Sequence, residues 1–127
     1  MKQVIKTVDW DNIYKIKLSN YEDAFLKHEV VKLLILKNIL LKFKKNKNHH
    51  LVYTEFDLNG KKCDVYYENT LTGEIICYEI QSNISDSWLS ETQKFYFKNN
   101  LDWVLIDLNK LSDNLQELNR QIKELIV

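Results

Sequence analysis

Asn59-Gly60 sits between two alternating runs, HHLVYTEF before it and KKCDVYY after it. A two-residue type I′ turn needs two residues that tolerate positive φ, and Asn-Gly is the strongest short signal for one. This dipeptide predicts a hairpin and, with it, a register. Leu58 pairs with Lys61, and counting outward sets Glu55 directly opposite Asp64. Residues opposed on antiparallel strands share a face with Cβ atoms about 5 Å apart, so two carboxylates are expected to meet.

The next turn adds a third acid. Residues 68–73 are turn-rich, and a strand over 74–81 returns. If Tyr67 pairs near Ile76, Asp64 pairs near Glu79, and Gln81, two residues on, shares the face of Glu79. The expected result is a row of Glu55, Asp64 and Glu79 across three strands, with Gln81 beside the last. Like charges opposite one another destabilise a sheet. Either the acids lie on a solvated face and repel through water, or a hard cation holds them. Mg²⁺ suits such a row, since it takes oxygen ligands at about 2.0–2.1 Å and keeps several waters. The same register sends Cys63 and Cys77 to opposite faces. Without CxxC spacing, these two cysteines indicate neither a zinc site nor a disulfide framework.

The flanking segments read as support. Residues 1–18 alternate around Asp9–Asn12 and suggest a peripheral strand or arm. Ser19 and Glu22 form a capping-box pattern, which predicts a helix over about 20–44. That helix is apolar nearly all round between Val30 and Leu41, so it is expected to be buried on more than one side, in the core or against a second subunit. His28 and Lys32, four apart, share a face; with Glu29 between them, spacing alone makes them a polar stripe at a solvent edge. Asp86 or Ser87 caps a helix over about 87–99, whose aromatic residues read as core and whose Lys94 could project toward the acids. LDWVLIDL suits a strand buried on both faces. Leu111, Leu115, Leu118, Ile122 and Leu125 mark an amphipathic helix over about 112–126.

With 127 residues, no proline, no Gly/Ser-rich linker and no repeat, residues 1–127 are expected to form a single domain. A hydrophobic fraction of 45% against 28% charged residues is an ordinary globular balance. No signal-peptide pattern opens the chain and no apolar run reaches ~18 residues, so a cytoplasmic location without a membrane partner is expected. A net charge of +0 excludes a global basic field. Local charge is uneven: Lys44, Lys45, Lys47, Lys61 and Lys62 lie close in sequence. They are either a solvated helix end and hairpin rim or a phosphate-facing patch.

The order helix, three-strand meander, helix, strand, helix resembles the PD-(D/E)XK, or restriction-endonuclease-like, nuclease superfamily. Asp64 stands for the acid of its second strand and Glu79-Ile80-Gln81 for the E-x-K triplet of its third, with glutamine in place of lysine. His28 with Lys32, Glu55, Asp64-Val65, and Glu79, Gln81, Ser82, Ile84 and Ser85 are similar, in order and spacing, to the nuclease-like domain of CoiA competence proteins. The likeness covers about residues 22–107. It departs at Cys63, where a basic residue usually precedes the acid, and in lacking the flanking regions of those proteins, so a small nuclease of a mobile element or virus fits equally.

The resemblance implies an α/β (α+β) fold with an αβββαβ core and a mixed central sheet flanked by helices. It implies metal-dependent hydrolysis of DNA, with Mg²⁺ or Mn²⁺ on Asp64 and Glu79 and with Glu55 as a direct or water-mediated ligand. Gln81 would orient a water but carries no charge. Lys32, ahead of Lys94, would supply the positive group, and His28 and Glu29 would support the site. A homodimer is compatible, because cutting both strands of a duplex often uses two sites. The competing readings are a non-catalytic nucleic-acid-binding module on the same fold, and an interaction or inhibitor protein that uses the apolar first helix.

Overall fold

The computed structural model describes Glu22, residues 25–45 and residues 47–126, with only the backbone of Lys47. The arm expected over 1–18 and the Ser19 cap lie outside the described residues. Helix α1 (Leu26–Lys42) is followed by a 3-10 turn (Lys47–His49), strands β1 (His50–Leu58), β2 (Lys61–Asn69) and β3 (Ile75–Gln81), helix α2 (Asp86–Lys98), strand β4 (Asp102–Asp107) and helix α3 (Leu115–Leu125). The fold is α+β. One mixed sheet has the order β1-β2-β3-β4, with β1, β2 and β3 antiparallel and β4 parallel to β3. No helix among the described residues is long and apolar enough to cross a membrane.

Both turns hold the register expected of them. Asn59 and Gly60 take φ of 55° and 100°, the Asp57 side chain accepts from the Gly60 N–H at 2.7 Å, and Leu58 pairs with Lys61. In the second hairpin Tyr67 pairs with Ile76.

Helix ends are set by local caps and differ by a few residues from the sequence reading. α1 starts at Leu26, later than 20, behind Phe25, which offers no side-chain cap. α2 is capped by Ser85, whose Oγ accepts from the Trp88 N–H at 3.1 Å, one residue ahead of the expected Asp86. Asn114 caps α3 by accepting from the Glu117 N–H.

α1 and α3 cover one face of the sheet. Val31, Ile35 and Ile39 of α1 and Leu118 and Ile122 of α3 meet Val52, Val65, Tyr67, Tyr78, Ile80 and Ile106 there. Fully burying each aliphatic side chain stabilises the fold by about 1.5–3 kcal/mol. Asn38 ties the two helices by donating to Asn119 Oδ1 at 2.9 Å. The apolar girth of α1 thus serves the sheet and α3, while Leu33 and Leu41 stay exposed on its outer side. α2 covers the opposite face, where Tyr96 meets Cys63, Tyr66 and Cys77. β4 is covered on both faces, by Val104 and Ile106 on the α1 side and Trp103 on the α2 side, but less completely than its apolar run suggests. It is the last strand of the sheet, and of its residues only Ile106 is buried.

One irregularity shapes the site. Pairs Thr54–Val65 and Phe56–Cys63 hold the same register, but no pair forms between Glu55 and Asp64 at the level they bracket. Glu55 has φ of 50°, a left-handed conformation costing an L-residue roughly 1–2 kcal/mol. Both strands exchange faces at this level. Val52 belongs to the α1 side but Tyr53 and Phe56 to the α2 side; Val65 and Tyr67 belong to the α1 side but Cys63 and Tyr66 to the α2 side. Cys63 and Cys77 therefore share a face, contrary to the expectation from strict alternation. Both are buried free thiols.

Candidate functional site

The kink gathers charged side chains where the sheet opens. The β2–β3 ladder ends at Val65–Tyr78. One step further, Asp64 and Glu79 would be the next pair, but Asp64 Oδ2 instead accepts from the Ile80 N–H at 2.7 Å. Its other oxygen lies 3.4 Å from His28 Nε2 on α1. His28 Nδ1 in turn lies 3.2 Å from Glu29 Oε1. Only a doubly protonated imidazole donates from both nitrogens. Burial pushes the His28 pKa down, but the Asp64 and Glu29 carboxylates outweigh it and hold it above the ordinary value.

Lys32 is the centre of the α1 side. It is 0% exposed, with Nζ 2.8 Å from Glu29 Oε2 and 3.2 Å from Glu55 Oε2. The polar stripe expected at a solvent edge faces the sheet instead, with Glu29 and Lys32 buried and His28 half-buried, because α1 packs on the sheet. Burial, opposed by Lys32 and reinforced by the Asp64 charge, raises the Glu55 pKa.

Glu79 lies on the other side of the opening. It is 5% exposed, and its Oε1 accepts from the Tyr96 hydroxyl at 2.5 Å. Lys61 Nζ is 3.9 Å from the same oxygen. Burial drives the Glu79 carboxyl up to about 7; the Tyr96 hydrogen bond pulls against this, and the Asp64 charge adds to the rise.

The expected row on one face is therefore divided. Glu55 turns to Lys32 beneath α1, Glu79 to Tyr96 beneath α2, and Asp64 stands between them at the opening. Among the described residues, no three His, Cys, Asp or Glu side chains are arranged to hold one metal ion. Asp64 and Glu79 remain neighbours in register, and Mg²⁺ is commonly held by only one or two carboxylates with waters filling the rest. Four carboxylates (Glu29, Glu55, Asp64, Glu79) face the ammonium groups of Lys32 and Lys61 and the His28 imidazole, whose cation the carboxylates favour, so the cluster becomes net negative, and suited to a cation, as His28 and Glu79 give up their protons. Asp64 and Glu79 are the pair that fits a divalent ion, and Glu55, beside both Lys32 and Asp64, borders it.

The other expected residues fall apart. Gln81 ends β3, half-buried on the side of Glu79 by alternation and paired with Asp107. Lys94 is exposed on α2, two residues from each of the buried Thr92 and Tyr96 and so turned away from the sheet. The lysines do not form one patch. Lys44, Lys45 and Lys47 precede the start of β1, while Lys61 and Lys62 lie beyond its end, roughly 27 Å away at about 3.3–3.4 Å per strand residue. His50, near the first group, is held by Tyr67, with Nδ1 2.8 Å from the hydroxyl, and stacks on Phe43. Sequence reasoning missed Tyr96 and placed Lys61 only among the surface lysines. The signal for Tyr96 was its four-residue spacing from Thr92 on the inward face of α2. For Lys61 only the three-dimensional course of β2 shows it.

The fold and site define an α+β protein with a buried acid–ammonium cluster at the opening of its sheet. Comparison with protein-family models, with curated proteins and with solved structures returned no match.

Proposed function

We propose that the protein is a metal-dependent phosphodiesterase acting on DNA, of the PD-(D/E)XK type. The observation that carries this reading is that Asp64 and Glu79 are next in register where the β2–β3 ladder ends, near enough for the Asp64 charge to act on the Glu79 carboxyl. Asp64 and Glu79 would hold Mg²⁺ or Mn²⁺. When bound, such an ion polarises a phosphoryl oxygen and lowers the pKa of a coordinated water. The protein's own groups prepare the place. The Ile80 N–H and His28 fix the two oxygens of Asp64, and Tyr96 fixes Glu79. Lys32 bridges Glu29 and Glu55, and the three form a buried frame beside the acid pair. Gln81 has an amide suited to orienting a water.

The test is a cleavage assay on single-stranded, duplex, flap and junction DNA in Mg²⁺ and in Mn²⁺. Cleavage is expected on at least one form and is expected to vanish in Asp64→Ala plus Glu79→Ala. Cleavage that survives the double substitution removes the reading.

A second reading, a non-catalytic nucleic-acid-binding module, draws on Lys32. Its ammonium already fills the space between Glu29 and Glu55 as a built-in cation, and Gln81 stands where the resembled motif has lysine. This reading expects salt-sensitive DNA binding and no cleavage in either metal.

A further inference from the structure

Resting on the nuclease reading, we infer that Lys61 is the ammonium group that meets the substrate phosphate beside Asp64 and Glu79. Three lysines compete for this place. Lys32 is sealed under α1, and moving it to a substrate would abandon two buried carboxylates at 2.8 and 3.2 Å. Lys94 lies two residues from both Thr92 and Tyr96, about 200° around a helix of 3.6 residues per turn, and faces solvent.

Lys61 is placed differently. It opens β2, next to the Gly60 turn, and its ammonium lies on the α2 side, by Glu79 and Phe95. Its Nζ lies 3.9 Å from Glu79 Oε1 and 5.9 Å from the centre of the Phe95 ring, and its side chain is 27% exposed. A separation of 3.9 Å exceeds the roughly 2.7–3.2 Å of a hydrogen bond. Charge and the ring face therefore hold the ammonium beside the acid, without a hydrogen bond to Glu79 that a substrate would have to break. It is both adjacent to the acid pair and open to solvent. A phosphate bound through a metal ion that Asp64 and Glu79 would hold would come within reach of that ammonium, which would offset the charge on a non-bridging oxygen. The position three residues before the strand acid thus supplies the charge that Gln81 cannot.

The test compares wild type with Lys61→Met, Lys61→Arg and, as a surface control, Lys123→Met. DNA cleavage is read in Mg²⁺ and the salt dependence of DNA binding in EDTA. Removing one aimed donor of this kind typically lowers turnover about 10²–10³-fold. Lys61→Met is expected to lose cleavage on that scale, Lys61→Arg to regain at least tenfold of the loss, and Lys123→Met to match wild type. The slope of log K against log salt should shrink by about 0.9 in Lys61→Met, the value of one phosphate contact. Lys61→Met that cuts and binds like an active wild type overturns the inference and leaves the nuclease reading intact. A wild type that cuts no DNA form overturns both. Equal loss in Lys61→Met and Lys61→Arg with unchanged salt slope assigns Lys61 a structural part and overturns the inference.

Discussion

Replacing Glu79 by glutamine should change how stability depends on pH. The carboxyl is raised from an ordinary 4.5 to about 7, first by burial. Between those values the folded protein binds a proton that the unfolded chain has released, so the contribution of Glu79 to stability falls as pH rises through that window. The shift of about 2.5 units, at 1.36 kcal/mol each, is worth roughly 3 kcal/mol. The side chain is 7% exposed, so solvent does little to screen it. Glutamine keeps the volume and still accepts from the Tyr96 hydroxyl, but it does not titrate. His28 also titrates from a raised value; its stabilisation is present below about 6.5 and is lost as pH rises past the folded pKa. Since both proteins carry His28, the difference between them isolates Glu79. The assay is urea unfolding in EDTA from pH 4.5 to 8. Glu79→Gln should gain about 3 kcal/mol relative to wild type across that range. Parallel stability curves would refute the account of a buried acid held in a negative field. With Mg²⁺ at a hundred times its dissociation constant, wild type at pH 8 should recover about 2.7 kcal/mol, and Glu79→Gln should recover less.

Lys32→Met leaves Glu29 and Glu55 buried without their cation and should cost roughly 3–5 kcal/mol at pH 8, less at pH 4.5, since burial raises the Glu55 carboxyl and lets it take up a proton; denaturant unfolding at the two pH values measures this, and a loss under 1 kcal/mol would mean that the ammonium contributes little. Cys63 and Cys77 are buried, and burial pushes the Cys63 thiol well above its ordinary range. Both thiols should stay unreactive toward a chromogenic disulfide in the native protein and react once it is unfolded, so rapid native labelling would contradict the packing of the α2 face.

What could be read directly from the residues was what neighbours in sequence decide. Asn59-Gly60 has one favourable way to turn, so the Leu58–Lys61 register followed, and Tyr67–Ile76 followed from the next turn. Periods of two and of three to four residues marked the strands and helices, whereas the residues that cap the helices were not the ones expected. The level shared by Glu55, Asp64 and Glu79 was legible for the same reason. Their directions were not. Strict alternation has no place for a left-handed Glu55, which persists among partners distant in the chain: Lys32 beneath α1, and Asp64 drawn aside to the Ile80 N–H. That kink turned Cys63 over to the side of Cys77 and divided the acids between two helices. The tertiary fold likewise buried Lys32, brought Lys61 to Glu79, and parted lysines that lie close in sequence by the length of β1. Local conformational preference is written in adjacent residues, whereas the burial and pairing of a charge depend on which surfaces meet, and only the folded chain brings those surfaces together.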